Sequence, residues 1–185
     1  MNYILSLITF LPLLGAVIIG LFVQGSDSQS SENAKKVSLV TSIIVFLLSL
    51  VMFSEFDKSS SDFQFIEEFL WLGFFNYKLG VDGISVILIL LTTGMMPIVF
   101  LSSWTTNKRV KEYLISFLIL ETLMVGVFVS LDILLFYVFF EAGLIPMFLI
   151  IGIWGGKERV FASFKFFLYT LLGSILMLIA MIVMW

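Results

Sequence analysis

Long apolar stretches separated by short polar ones dominate the sequence. A helix that crosses a hydrocarbon core of roughly 30 Å needs about 20 mostly apolar residues, and six stretches approach or exceed that length. They cover residues 4–23, 37–53, 84–104, 113–130, 133–154 and 161–185. The pattern predicts an all-α membrane protein with six transmembrane helices, in which residues 1–185 form a single multi-pass domain.

The longest segment between two predicted spans, residues 54–80, is unusually apolar and aromatic for a solvated loop. Apolar side chains of this density are typical of segments that bury one face at a membrane interface. We therefore expect this segment to lie in the interface or to pack on helix ends.

Basic residues are distributed unequally between the two sides of the predicted bundle. Lys and Arg accumulate on the cytoplasmic side of membrane proteins, and one side has only Lys58 and Lys78. The other side carries Lys35, Lys36, Lys108, Arg109, Lys111, Lys157 and Arg159. This asymmetry predicts that the second side is the inner one and that both chain termini are outside. We interpret the cluster at residues 108–111 as part of this topology signal rather than as a ligand site.

The composition narrows the chemistry further. Hydrophobic residues make up 61% of the chain and charged residues 12%, against about 25% charged in soluble domains. The absence of His and Cys excludes histidine triads, thiol nucleophiles and cysteine-ligated clusters in this chain. A net charge of −3 provides no basic field for nucleic acid. We therefore expect this chain to hold no redox or metal cofactor of its own.

Three ionisable residues fall inside predicted spans, namely Glu121, Glu141 and Lys165. A charge at the bilayer centre costs about 2.5 to 3.5 kcal/mol on the insertion scale, so each is a candidate functional residue. The fourth and fifth spans meet at a short turn, where Asp132 can cap the following helix. Both glutamates stand ten residues from Leu131, and at about 1.5 Å per residue both lie about 15 Å deep, near the midplane.

Glu141 is the strongest candidate for a proton-carrying group. Burial favours the protonated form of a carboxyl, whereas a nearby ammonium group favours its charged form. A carboxyl that a cation can approach and leave is therefore a switchable proton site. Lys165, about five residues into the sixth span, could reach toward Glu141, or it could anchor the helix by extending its amine to water. The alternative for either glutamate is a neutral carboxyl that only joins two helices, worth around 0.6 kcal/mol.

Three neighbouring residues are predicted to support this site. Tyr137 lies one helical turn before Glu141, and Tyr169 lies one turn after Lys165. Pro146 follows five residues after Glu141 and cannot donate to the carbonyl one turn earlier, which leaves that acceptor free near the carboxyl.

Three sequence segments together resemble a known family. They are LGVDGISVILILLT at residues 79–92, LDILLFYVFFEAGLIPMFLIIGIWGG at residues 131–156 and KFFLYTLLGS at residues 165–174. They resemble the subunit M family of NADH-quinone oxidoreductase, which is chain 4 of respiratory complex I and one of its antiporter-like membrane subunits. The resemblance extends over all 185 residues, and EAGLIPM is its most specific string.

The resemblance implies a proton-translocating membrane-arm subunit with roughly fourteen transmembrane helices, built from inverted repeats. It implies that NADH, FMN, iron-sulfur clusters and quinone bind in other subunits, and that this chain's partners are other membrane-arm subunits and the lipid bilayer. The expected location is the bacterial cytoplasmic membrane or the mitochondrial inner membrane. Glu141 matches the family's fifth-helix glutamate, Glu121 its fourth-helix glutamate and Lys165 a basic position early in the sixth helix.

The sequence departs from the family in one respect, because it contains neither the seventh-helix lysine nor the second repeat that the resemblance implies. We therefore expect it to correspond to the N-terminal part of such a subunit, although a truncated paralogue is the alternative. Two other functions stay open at this point. One is a subunit of a multisubunit cation/proton antiporter, and the other is a structural scaffold.

Overall fold

Six long helices form the body of the protein. The computed structural model describes residues 3–23, 28–60, 62–71, 75–106 and 108–184. The helices are α1 (Ile4–Phe22), α2 (Ser28–Glu55), α3 (Gly83–Ser102), α4 (Val110–Val129), α5 (Ile133–Trp154) and α6 (Arg159–Met184). Each is long and apolar enough to cross a membrane, so the chain is a multi-pass membrane protein, as predicted. Residue 185, the predicted end of the sixth span, lies outside the described residues.

Helix α2 is much longer than its apolar stretch, starting at Ser28 where the pattern predicted residue 37. Its polar first turns carry an ion pair one turn apart, Lys36 to Glu32 at 2.7 Å. Ala34, in the same region, is fully buried against the neighbouring helices. The helix therefore continues beyond its apolar residues because an ion pair at i,i+4 spacing and local packing both support it.

Aspartates begin two of the helices. The Asp132 carboxylate accepts hydrogen bonds from the backbone N–H groups of Leu134 (2.9 Å) and Leu135 (3.0 Å) at the start of α5, which confirms the predicted cap. Asp82 does the same for α3 through the N–H of Ser85 at 2.7 Å. Each side chain satisfies N–H groups that have no acceptor within their own helix.

The segment between α2 and α3 contains a β-hairpin, which the hydrophobic pattern did not indicate. Strand β1 (Gln64–Trp71) pairs antiparallel with β2 (Phe75–Val81). Leu79 and Val81 are fully buried against the ends of α1, α3 and α4, which confirms the expected packing on helix ends. The backbone of β2 is also joined to the α4–α5 turn, since the N–H of Leu131 donates to the carbonyl of Lys78 at 2.9 Å.

Glu67 on β1 caps α1 from a distance of 62 residues along the chain. Its buried carboxylate accepts from the backbone N–H of Leu5 at 2.8 Å and from the N–H of Ser6 at 3.2 Å. The Ser6 hydroxyl also donates to it, and that hydroxyl lies 3.2 Å from the Tyr77 hydroxyl on β2. Because Tyr3, the residue before α1, provides no side-chain cap, the hairpin supplies the acceptors that this helix end needs.

The opposite end of the bundle, which we call the basic end, is where α1, α3 and α5 finish. Lysine amines there donate to carbonyls at or just beyond the last turns of these helices. The pairs are Lys111 to Val23 at 2.7 Å, Lys108 to Ile153 at 2.7 Å and Lys35 to Trp104 at 2.5 Å. Since the C-terminal end of a helix carries partial negative charge, these amines stabilise it.

The buried core lies mainly among α1 to α4, in two clusters. One is next to the hairpin and includes Ile8, Val45 and Val125; the other is nearer the basic end and includes Phe100 and Leu118. By contrast, α6 packs mainly on α5.

Candidate proton site

Glu121 on α4 is fully buried inside the four-helix core. Leu118, one turn earlier, belongs to the core cluster near the basic end, and Val125, one turn later, belongs to the cluster near the hairpin. Neither carboxylate oxygen of Glu121 has a hydrogen-bond partner among the described residues, and the same holds for the adjacent Thr122 hydroxyl. A buried polar group without a partner is costly, so this pair of residues is a strong candidate for a functional role.

Glu141 on α5 is partly buried, and its Oε2 atom is enclosed without a hydrogen-bond partner among the described residues. Helices α4 and α5 are in close contact at Gly126, where an added Cβ would lie 2.5 Å from the Phe139 ring. At about 100° per residue, Glu141 lies roughly 160° around α5 from Phe139, and Glu121 lies roughly 140° around α4 from Gly126. Both glutamates therefore face away from this contact.

The two glutamates accordingly share a depth but not a face. Glu121 and Glu141 are each ten residues from the turn that joins their antiparallel helices, which agrees with the predicted level. However, Glu121 faces the core of α1 to α4, whereas Glu141 lies on the opposite side of α5. The structure does not bring the two carboxyls together across the hairpin of α4 and α5.

Lys165 is exposed on α6 and does not approach Glu141. Its amine lies 5.9 Å from the centre of the Phe161 ring and 6.0 Å from that of Tyr169, both on the same helix. No ion pair between described residues joins Lys165 to Glu141. The amine thus lies along its own helix between these two rings, and a role for Lys165 in proton transfer stays a prediction.

The predicted supporting residues occupy different environments. Pro146 is buried within α5, and Tyr137 is half-buried one turn before Glu141. Tyr169 is 71% exposed, beside Lys165 and away from both glutamates. Tyr137 and Pro146 thus stay near Glu141, whereas Tyr169 is separated from it.

An open groove of about 340 Å³ runs between α4, α5 and α6. Its walls are apolar, with Leu123, Phe140, Met147 and Phe166 among them, and neither glutamate lines it. The groove therefore offers no polar group to a proton or a charged cofactor.

Comparison with known proteins identifies the chain's relatives. Residues 130–185 match a protein-family model described as the transmembrane domain of NADH:quinone oxidoreductase and Mrp antiporters. The whole chain is 55% identical to NADH-quinone oxidoreductase subunit M of Rhodobacter capsulatus, covering 36% of that protein. Over 98% of its length it is 51% identical to NADH-ubiquinone oxidoreductase chain 4 of Mycosarcoma maydis, covering 38% of it.

A solved structure agrees with these relatives. The fold matches a chain in the structure of respiratory complex I from Thermus thermophilus with bound NADH, with a TM-score of 0.77 and 27% sequence identity. The match covers 95% of this chain and 34% of the other. The chain thus spans a little more than a third of the curated relatives that it matches, and over that length it is similar to NADH-quinone oxidoreductase subunit M and chain 4.

Proposed function

We propose that this chain contributes a proton site to the membrane arm of an NADH:quinone oxidoreductase of the complex I type. In this proposal the chain carries no redox centre, and NADH, FMN, iron-sulfur clusters and quinone bind in other subunits. Its partners are other membrane-arm subunits and the surrounding lipid. The oxidation of NADH in those subunits drives proton movement in this one.

Glu141 carries the proposal. It lies at the middle of α5, about 15 Å along the helix from the capped turn at Asp132, with one oxygen enclosed and unpaired among the described residues. A carboxyl in such a position can gain and lose a proton as its surroundings change. In the proposed mechanism, Glu141 takes up a proton when no cation is near and releases it when a cation approaches.

Glu121 is a second proton site in the same proposal. Its two oxygens, which have no hydrogen-bond partner among the described residues, lie on the other side of the α4–α5 pair from Glu141. Because the two glutamates do not face each other, a proton cannot pass directly between them across the interface at Gly126 and Phe139. Transfer between them requires intervening groups, such as water held by the unpaired oxygens.

The test is the conservative variant Glu141→Gln in the assembled complex. We expect it to abolish NADH-driven proton uptake by inside-out membrane vesicles and to lower coupled NADH oxidation sharply, while the complex still assembles. Glu112→Gln is the matched control, because Glu112 is an exposed carboxyl in the first turn of α4. Unchanged proton uptake in Glu141→Gln would refute the proposed role of Glu141.

A cation/proton antiporter subunit is the second candidate, since the matching family model covers Mrp antiporters as well as oxidoreductases. Purification separates the two functions, because the chain should copurify either with quinone oxidoreductase subunits or with antiporter subunits. The relatives at 55% and 51% identity carry oxidoreductase names, which favours the first outcome. A scaffold without a proton site predicts instead that Glu121→Leu and Glu141→Leu leave the activity of the complex intact.

A further inference from the structure

A second candidate site lies at the basic end of α3, far from both glutamates. A pocket of about 420 Å³ opens where α3 gives way to the short 3-10 helix Ser103–Thr105 and the start of α4. Four of its six lining residues carry a hydroxyl group and the other two are aliphatic. The residues are Ile98, Val99, Ser102, Ser103, Thr106 and Tyr113.

The hydroxyls of this pocket are available to a ligand. Ser103 donates to the carbonyl of Phe100 at 3.1 Å, whereas no described residue is hydrogen-bonded to the hydroxyls of Ser102, Thr106 or Tyr113. The pocket contains no carboxylate. Hydroxyl donors without competing acceptors suit the oxygens of an anion such as a phosphodiester.

The surroundings of the pocket carry positive charge. Lys35 lies with its amine at the carbonyl of Trp104 and 6.0 Å from that residue's ring, and Lys108 and Arg109 follow Thr106 closely in the chain. Basic residues at a membrane surface attract anionic lipids. The charge therefore favours an anionic occupant over a neutral one.

An apolar surface continues from the pocket along α3. Ile98 is 58% exposed and Leu101 56% exposed, on a helix that crosses the membrane. This surface can contact acyl chains while the hydroxyls contact the headgroup. We propose that the pocket binds the phosphodiester headgroup of an anionic phospholipid, with phosphatidylglycerol as the simplest example.

The same helix provides an internal control. A pocket of about 360 Å³ lies at the hairpin end of α3, lined by residues that include Phe53, Lys58, Ser60 and Gly83. It has one basic side chain, but the acidic Asp82, which caps α3, directly precedes Gly83. The two pockets are similar in volume and differ in hydroxyl content and local charge. A lipid that binds to grooves of this size without regard to hydroxyl groups or charge would therefore occupy both.

Photochemical labelling tests the proposal. The assembled complex that contains this chain is reconstituted in phosphatidylcholine vesicles with a trace of photoactivatable phosphatidylglycerol, and cross-linked peptides are mapped by mass spectrometry. We expect labelling of residues 98–113 to exceed that of residues 83–87 and to fall when unlabelled phosphatidylglycerol is added. Photoactivatable phosphatidylcholine should label the two regions equally. Equal labelling by phosphatidylglycerol, or no labelling of residues 98–113, would overturn the proposal.

Variants identify the groups responsible. Each hydrogen bond lost should lower labelling about fivefold, so Ser102→Ala and Thr106→Val should each reduce it. Ser60→Ala in the pocket at the hairpin end is the matched control and should leave the labelling of residues 98–113 unchanged. Full labelling in the double variant of Ser102 and Thr106 would show that the hydroxyls do not hold the lipid. This site is independent of the proposed proton function, so either proposal can fail alone.

Discussion

Removing the Glu67 carboxylate should destabilise the protein specifically at the start of α1. In Glu67→Ala the N–H of Leu5, a fully buried residue, loses its acceptor, and an unsatisfied buried donor costs about 1 to 3 kcal/mol. The Ser6 N–H and hydroxyl are partly exposed, so water can replace their acceptor at a cost of about 0.5 to 1 kcal/mol. We therefore expect a loss of about 1.5 to 4 kcal/mol in the free energy of unfolding.

Glu67→Gln separates the charge from the shape of this contact. The amide keeps one carbonyl oxygen that can accept from Leu5, so only the charge-dependent part should be lost. That part is the interaction with the helix dipole, about 0.3 to 1 kcal/mol at an exposed helix end and up to about 2 when partly buried. Glu67→Gln should thus lie between the wild type and Glu67→Ala in stability.

Glu68→Ala is the matched control for this series. Glu68 neighbours Glu67 on β1 but is 48% exposed and pairs with Lys78 at 3.5 Å, so its removal should cost about 0 to 1 kcal/mol. Stability is measured by detergent-induced unfolding in mixed micelles, and hydrogen exchange reports the amides of Leu5 and Ser6 directly. Equal stability of the two alanine variants, or unchanged exchange at Leu5 in Glu67→Ala, would refute the reasoning.

Two further predictions concern packing and pH. Gly126→Ala should destabilise the protein by about 1 to 3 kcal/mol, because the new Cβ would lie 2.5 Å from the Phe139 ring. Gly143→Ala should cost nothing in the same unfolding assay, because its new Cβ would meet nothing within 4 Å apart from its chain neighbours and the backbone of its own helix. Equal effects of the two substitutions would contradict the packing argument. Burial raises the pKa of Tyr77 above its ordinary value, with the Glu67 charge adding to the rise against the opposing Ser6 hydrogen bond. Because the folded state prefers the neutral phenol, Tyr77 contributes its full stabilisation below the ordinary tyrosine pKa of about 10. This stabilisation is lost as pH rises through the higher pKa that Tyr77 has in the folded protein. Tyr77→Phe should therefore be less sensitive to alkaline pH than the wild type, and an identical alkaline stability profile would contradict this.

The number and order of the helices could be predicted because a membrane span is a local property. Each apolar run is long enough to specify its own helix, and Asp132 caps α5 through N–H groups only two and three residues away. The depth of Glu141 was likewise predictable, since it follows from the rise per residue and the position of the turn. These features depend on residues close together in the chain.

The direction in which each glutamate faces could not be predicted in the same way. It depends on which side of α4 meets α5. At this interface Phe139 of α5 packs against Gly126 of α4, and such a contact between residues on different helices cannot be read from either helix alone. The Glu67 cap was missed for a related reason, because its partner amides are about 60 residues away. One sequence signal was available, since Tyr3 before α1 has no side-chain oxygen suited to capping.

The position of Glu67 also has a consequence for the order of events during biosynthesis. Leu5, at the start of α1, is synthesised 62 residues before the carboxylate that accepts from its N–H group, and at about 5 to 20 residues per second this interval lasts about 3 to 12 s. Throughout that time the leading end of α1 must rely on water or lipid headgroups for its amides. The nascent chain thus completes its first helix only after the second has been synthesised and the hairpin has folded back.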